Sequence, residues 1–92
     1  MTSTPRYEIR VNNQTLDGWK ELSRAHPEEM EDLKHLLKNS PDNLRITNGK
    51  AKKLKGRLKD YIQYDVTYGD RVWYRIDKKN KAVIVEYAGP HP

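Results

Sequence analysis

The chain has no cysteine. That excludes disulfides and thiolate-based zinc sites and fits a reducing compartment. It has no run of about 18 consecutive apolar residues, the length a membrane span needs, and Met1 to Pro5 lack the apolar stretch of a signal peptide. A soluble, cytoplasmic protein without a membrane partner is expected. A phosphate-binding glycine loop, an HExxH pair and the spacing of a calcium loop are also missing, so neither a metal nor a cofactor is expected. A chain of 92 residues makes one domain, residues 1–92, whose core is too small to enclose a deep substrate cavity. Chemistry then belongs on an open surface, with no small-molecule ligand expected. Apolar residues make up only 35% of the chain and charged residues 34%. That balance raises the question of disorder, but the apolar positions recur with regular periods, which argues for a folded domain behind a flexible stretch at residues 1–5.

What the chain does have is positive charge, gathered in one half. Residues 1–44 carry six Lys/Arg against eight Asp/Glu, and residues 45–92 carry twelve against five, net −2 and +7. The basic half is a candidate polyanion surface.

Periodicity supplies the architecture. Tyr7, Ile9 and Val11 alternate with Arg6, Glu8 and Arg10, the pattern of a half-buried strand. Thr15 is placed to cap a helix running to about Ala25, with Leu16, Trp19 and Leu22 on its buried face and Gly18 a weak point in it. Pro27 suits the first turn of a second helix, with Met30, Leu33, Leu36 and Leu37 as its apolar stripe. Asn48-Gly49 offers a tight turn after it. Three alternating segments follow, Tyr61–Thr67, Arg71–Asp77 and Ala82–Tyr87, with connections short enough for antiparallel hairpins. Strand, helical hairpin and three-stranded meander imply an α+β domain whose helices cover one face of a four-stranded antiparallel sheet.

If that face buries Tyr64 and Tyr74, the period of two puts Gln63, Asp65 and Thr67 beside Arg71, Trp73 and Arg75 on the other. Guanidinium groups pair with phosphates and an indole can stack a base, so this face suits a flexible RNA strand. The competing reading is a solvated face on which Trp73 packs against arginine stems. The run Lys50, Lys52, Lys53, Lys55, Arg57 and Lys59 is either an anchor for the RNA backbone or a surface that keeps the protein in solution. His91 has an unperturbed pKa of about 6.5 and so can move a proton at neutral pH; as a penultimate residue it also fits a loose tail. His26 and His35 fall in the helical hairpin and are given no chemistry.

The order of elements, together with Leu54-Lys55-Gly56, Asp70-Arg71-Val72-Trp73-Tyr74 and the terminal Tyr87-Ala88-Gly89-Pro90-His91-Pro92, resembles the RelE/ParE superfamily of type II toxin–antitoxin toxins over nearly the whole chain. For the RelE- and YoeB-like branches the resemblance implies a metal-independent endoribonuclease that cuts mRNA in the ribosomal A site and is blocked by a cognate antitoxin. It implies that Arg71 holds the scissile phosphate, that His91 donates or accepts a proton, and that Tyr87 stands for the C-terminal aromatic residue. Lys50, Lys52, Lys53, Lys55, Arg57, Trp73 and Arg75 are the expected RNA-binding residues. Two departures stand out. YoeB-like toxins have a glutamate where this chain has Lys52, and Gln63, Tyr64 and Asp65 occupy the region of the RelE strand lysines. A mixed site is therefore expected, with the general base unassigned and Asp65 placed to orient a neighbour or accept a proton from it. The rival on the same fold is a ParE-like inhibitor of DNA gyrase, which is no enzyme; an inactive RNA-binding or antitoxin-binding relative is the third reading.

Overall fold

In the computed structural model, which describes residues 6–90, the chain forms five strands, two α-helices and two short 3-10 turns. The strands are β1 (Glu8–Val11), β2 (Ala51–Lys53), β3 (Ile62–Asp65), β4 (Asp70–Asp77) and β5 (Ala82–Pro90); the helices are α1 (Leu16–Ala25) and α2 (Pro27–Asn39). The sheet runs in the order β1-β5-β4-β3-β2.

This corrects the expected sheet in two respects. There are five strands instead of four, because Ala51–Lys53 pairs antiparallel with β3, Lys52 opposite Gln63. The sheet is also mixed, since β1 lies parallel to β5 with Glu8 opposite Ala82. The extra strand is set up by the turn before it. Asn48 and Gly49 have φ of 56° and 87°, backbone values that asparagine and glycine accept more readily than other residues. The 3-10 turn Leu44–Thr47 leads into it.

The expected apolar positions make the core. Trp19, Leu22, Met30, Leu33, Leu36 and Leu37 from the helices pack with Ile62, Tyr64, Val66, Val72, Tyr74, Val83 and Val85 from the sheet. Both helices thus bury one face of the sheet and leave the other open, the division that alternation in the strands requires. Tyr74 is fully buried and its hydroxyl donates to the Pro41 carbonyl oxygen at 2.9 Å, tying β4 to the end of α2. No helix among the described residues is long and apolar enough to cross a membrane.

Thr15 is at the N-terminus of α1, but its side chain makes no capping bond. It is buried and its Oγ1 donates to the Glu86 carbonyl oxygen at 2.9 Å, so the expected cap is a tether between α1 and β5. The need for it comes from a β-bulge. Trp73 is opposite Tyr87 while Tyr74 is opposite Val85, which leaves Glu86 without a counterpart in β4. Beyond the bulge, β5 continues past the expected Tyr87 to Pro90.

Candidate nucleic-acid interface

The open face is organised by cross-strand pairs. Asp65, Gln63, Arg71 and Trp73 share this face, as alternation implied; the register sets Asp65 opposite Arg71 and Gln63 opposite Trp73, and the bulge brings Tyr87 opposite Trp73 on the same face. The Trp73 and Tyr87 rings are tilted at 49° with centroids 5.5 Å apart, within the range of attractive aromatic pairs. Both rings are half-buried, and the Tyr87 hydroxyl donates to the Pro90 carbonyl oxygen. Trp73 thus packs on Tyr87.

A polar chain runs across the strands from this pair. Trp73 Nε1 donates to Gln63 Oε1 at 3.0 Å, and Gln63 Nε2 donates to Asp65 Oδ1 at 3.2 Å. The indole is a donor only and the carboxylate accepts, so the two neighbours together fix which way the amide faces. Gln63 is buried. Alternation in the sequence put Gln63 on the face of Trp73, but its place in this chain comes from the register that sets it opposite Trp73.

Asp65 passes the chain to Arg71. Arg71 Nε lies 2.9 Å from Asp65 Oδ1, but its N–H is not aimed at the oxygen and forms no hydrogen bond. Arg71 Nη1 donates to the carbonyl oxygens of Thr67 and Tyr68 at 3.0 Å each and of Asp70 at 3.3 Å. The side chain is only 15% exposed. One side of the guanidinium is therefore committed to the β3–β4 turn, leaving Nη2, which makes no hydrogen bond among the described residues.

The other cations divide into two groups. Arg75 Nε lies 3.3 Å from Glu86 Oε2, and Glu86 Oε1 accepts from Asn12 Nδ2, so Arg75 is part of the structure around the bulge. Lys50, Lys52, Lys53, Lys55 and Arg57 are all exposed and form no ion pair among the described residues. They lie on β2, just before it, and at the 3-10 turn Gly56–Leu58, along the edge of the sheet nearest β3. Uncompensated charge in this position is available to a polyanion.

His91 lies outside the described residues. Of the histidines within them, His26 Nε2 is 3.6 Å from Asp70 Oδ2 and His35 neighbours Asn39. Tyr64 and Tyr74 are poor proton carriers at neutral pH. Burial first, then the carboxylates of Asp32 and Glu29, push the Tyr64 phenol up; burial, then Tyr64 and Asp42, push Tyr74 up further. Among the described residues no cluster of His, Asp and Glu is arranged to hold a metal ion.

No family model matches the chain, and no curated protein sequence matches it. Solved structures do. The DinJ–YafQ toxin–antitoxin complex from E. coli matches with a TM-score of 0.70 at 23% identity, covering 94% of this chain and 93% of that one. The archaeal RelE–RelB complex from Pyrococcus horikoshii OT3 gives 0.69 at 20%, covering 92% and 94%. The YoeB–YefM complex from Staphylococcus aureus gives 0.67 at 22%, covering 95% and 99%. The chain has the fold of the RelE/ParE toxins.

Proposed function

We propose that the protein is the toxin of a type II toxin–antitoxin system, an endoribonuclease that cuts mRNA on the ribosome without a metal and is neutralised by a cognate antitoxin. The observation that carries this reading is the Trp73–Gln63–Asp65–Arg71 chain, which holds one arginine in place on an open sheet face bordered by unpaired lysines. In the reaction, the 2′-oxygen of a ribose bonds to the adjacent phosphorus, the 5′-oxygen leaves, and a 2′,3′-cyclic phosphate remains. One proton must leave the 2′-hydroxyl and one must reach the departing 5′-oxygen. Arg71 Nη2 is the donor for the phosphate oxygens as their charge grows. Because Asp65 and the turn carbonyls already fix its guanidinium, little ordering is required when substrate arrives.

Lys50, Lys52, Lys53, Lys55 and Arg57 draw in and hold the backbone, and the Trp73–Tyr87 pair gives a base a surface to stack on. His91 carries a proton; in sequence it follows Pro90, the register partner of Asp70. The basic half and the RelE-like fold point to the same substrate, and the antitoxin complexes among the matching structures suggest a protein partner.

The test is expression in growing cells with mapping of mRNA 5′ ends. Cleavage inside translated codons is expected, with loss in both Arg71→Ala and His91→Ala. Parent-like toxicity in both variants would sink the catalytic assignment.

One observation favours the gyrase inhibitor on the same fold. The commitment of Arg71 Nη1 to three carbonyls and its low exposure are also what a purely structural arginine looks like. DNA damage with intact mRNA on expression would decide for that reading.

A further inference from the structure

The turn between β3 and β4 is held firmly, yet it presents a ring that packs on nothing. Tyr68 is fully exposed. Its carbonyl oxygen accepts from Arg71, and the neighbouring Thr67 Oγ1 donates to Asp70 Oδ2 at 2.8 Å while accepting from the Gly69 and Asp70 N–H groups at 3.3 and 3.2 Å. The hydrogen-bonded turn places this exposed ring beside the adjoining cleft, whose volume is about 480 Å³. That is within the range of about 300–1,000 Å³ for small-ligand sites. Glu29, Lys50, Asp65, Thr67, Tyr68 and Arg71 line it.

This cleft has the three kinds of group that one nucleotide needs. Lys50 is exposed and forms no ion pair among the described residues, so it is free for a phosphate. The ring of Tyr68 offers an unoccupied face to a base. Glu29 and Asp65 are acceptors, and acceptors pair with the exocyclic amino groups of adenine, cytosine and guanine; uracil offers oxygen atoms in the corresponding places. We propose that the cleft is a subsite for one nucleotide of single-stranded RNA beside the scissile phosphate, with Tyr68 as its stacking surface and Glu29 and Asp65 selecting amino-bearing bases. The inference rests on the endoribonuclease reading and adds to it a base preference and a residue outside the polar chain.

Binding of the purified protein to 2′-O-methyl oligonucleotides, which resist attack by a ribose 2′-hydroxyl, tests it. Oligomers of A and of C should bind more tightly than oligomers of U. Tyr68→Ala should weaken A and C binding about tenfold, and Tyr68→Trp should retain it. Glu29→Gln should narrow the gap to U, since an amide both donates and accepts. An unchanged Tm in Tyr68→Ala is expected because the ring touches nothing. If the parent binds these oligonucleotides with strong salt dependence but Tyr68→Ala binds them equally well, the subsite is wrong and the RNA reading survives. If the parent binds none, the subsite falls, while the ribosome-dependent reading stands or falls by the mapping of mRNA 5′ ends. If Tyr68→Ala leaves RNA binding intact and weakens only neutralisation by the antitoxin, the turn is a protein contact and the proposal is overturned.

Discussion

Gly18 of α1 rests directly against the main chain of Ala88 in β5: a Cβ placed on it would lie 2.0 Å from the Ala88 carbonyl oxygen. Alanine is the better helix former by about 1 kcal/mol, so propensity alone makes Gly18→Ala stabilising. The obstruction is backbone, which no rotamer change can move aside, and overpacking of this kind costs about 1–3 kcal/mol. The clash should win. Urea denaturation is expected to show net destabilisation in Gly18→Ala and a larger loss in Gly18→Val.

Asp65→Asn should damage activity more than stability. The Asp65 side chain is 34% exposed, so water screens much of its attraction for Arg71, and less than about 1 kcal/mol of stability is at stake. What the variant loses is the charge that orients the guanidinium. Displacing a catalytic group by a small distance can cost about a hundredfold, so a fall of that order in the single-turnover cleavage rate is expected with little change in the unfolding midpoint. Arg71→Lys should be as inactive as Arg71→Ala, because an ammonium cannot satisfy the turn carbonyls and still present a second planar donor.

Tyr74→Phe leaves the Pro41 carbonyl oxygen without its hydrogen bond inside the core, and a loss of about 1–3 kcal/mol at neutral pH is expected. The same hydroxyl governs alkaline behaviour. Its folded pKa is raised above the ordinary value of 10.0, chiefly by burial. The unfolded chain therefore gives up this proton first, and the stability it secures is full below pH 10 and declines as pH rises from there towards the folded value. Chemical denaturation at pH 8, 10 and 11 should show the difference between parent and Tyr74→Phe shrinking at the alkaline end.

Lys52, Lys53 and Lys55 can be replaced together by alanine with little effect on the fold, since all three are exposed. Each contact with a single-stranded phosphate contributes a slope of about −0.7 in log affinity against log salt. If all three touch the backbone, titrations at several salt concentrations should give a slope shallower by about 2. An unchanged slope would place the RNA elsewhere.

The helices and the meander were legible because burial imposes a period on them: the stripe Met30, Leu33, Leu36 and Leu37 is fully formed, and the alternation through Val72, Trp73, Tyr74 and Arg75 assigns each side chain to its observed face. β2 was missed for the opposite reason. Lys52 and Lys53 are exposed, so hydrophobic alternation has nothing to mark, and the strand is declared only by its pairing with β3 and the Asn48-Gly49 turn. The bulge at Glu86 was likewise invisible, since it depends on a register between two strands that neither strand's own pattern contains. Parallel pairing of β1 was hidden by distance along the chain. On the open face, Arg71 and Trp73 could be placed from alternation alone, whereas the link through Gln63 needed the cross-strand register. Arg71's attachment to the β3–β4 turn required the turn's actual geometry.

The place of β5 between β1 and β4 makes the first strand dependent on the last. Thr15 and Asn12 reach Glu86 across 71 and 74 residues, and β1 has no other strand beside it. Until β5 has been synthesised, β1 has no neighbour, α1 lacks the strand it rests on, and the core under the helices lacks Val83 and Val85. Truncation before residue 82, by a stop codon or a protease, therefore does more than remove one strand. It parts the sheet into a loose N-terminal strand and a β2–β3–β4 remnant, leaving a chain that keeps its lysines but has lost the framework that aimed them.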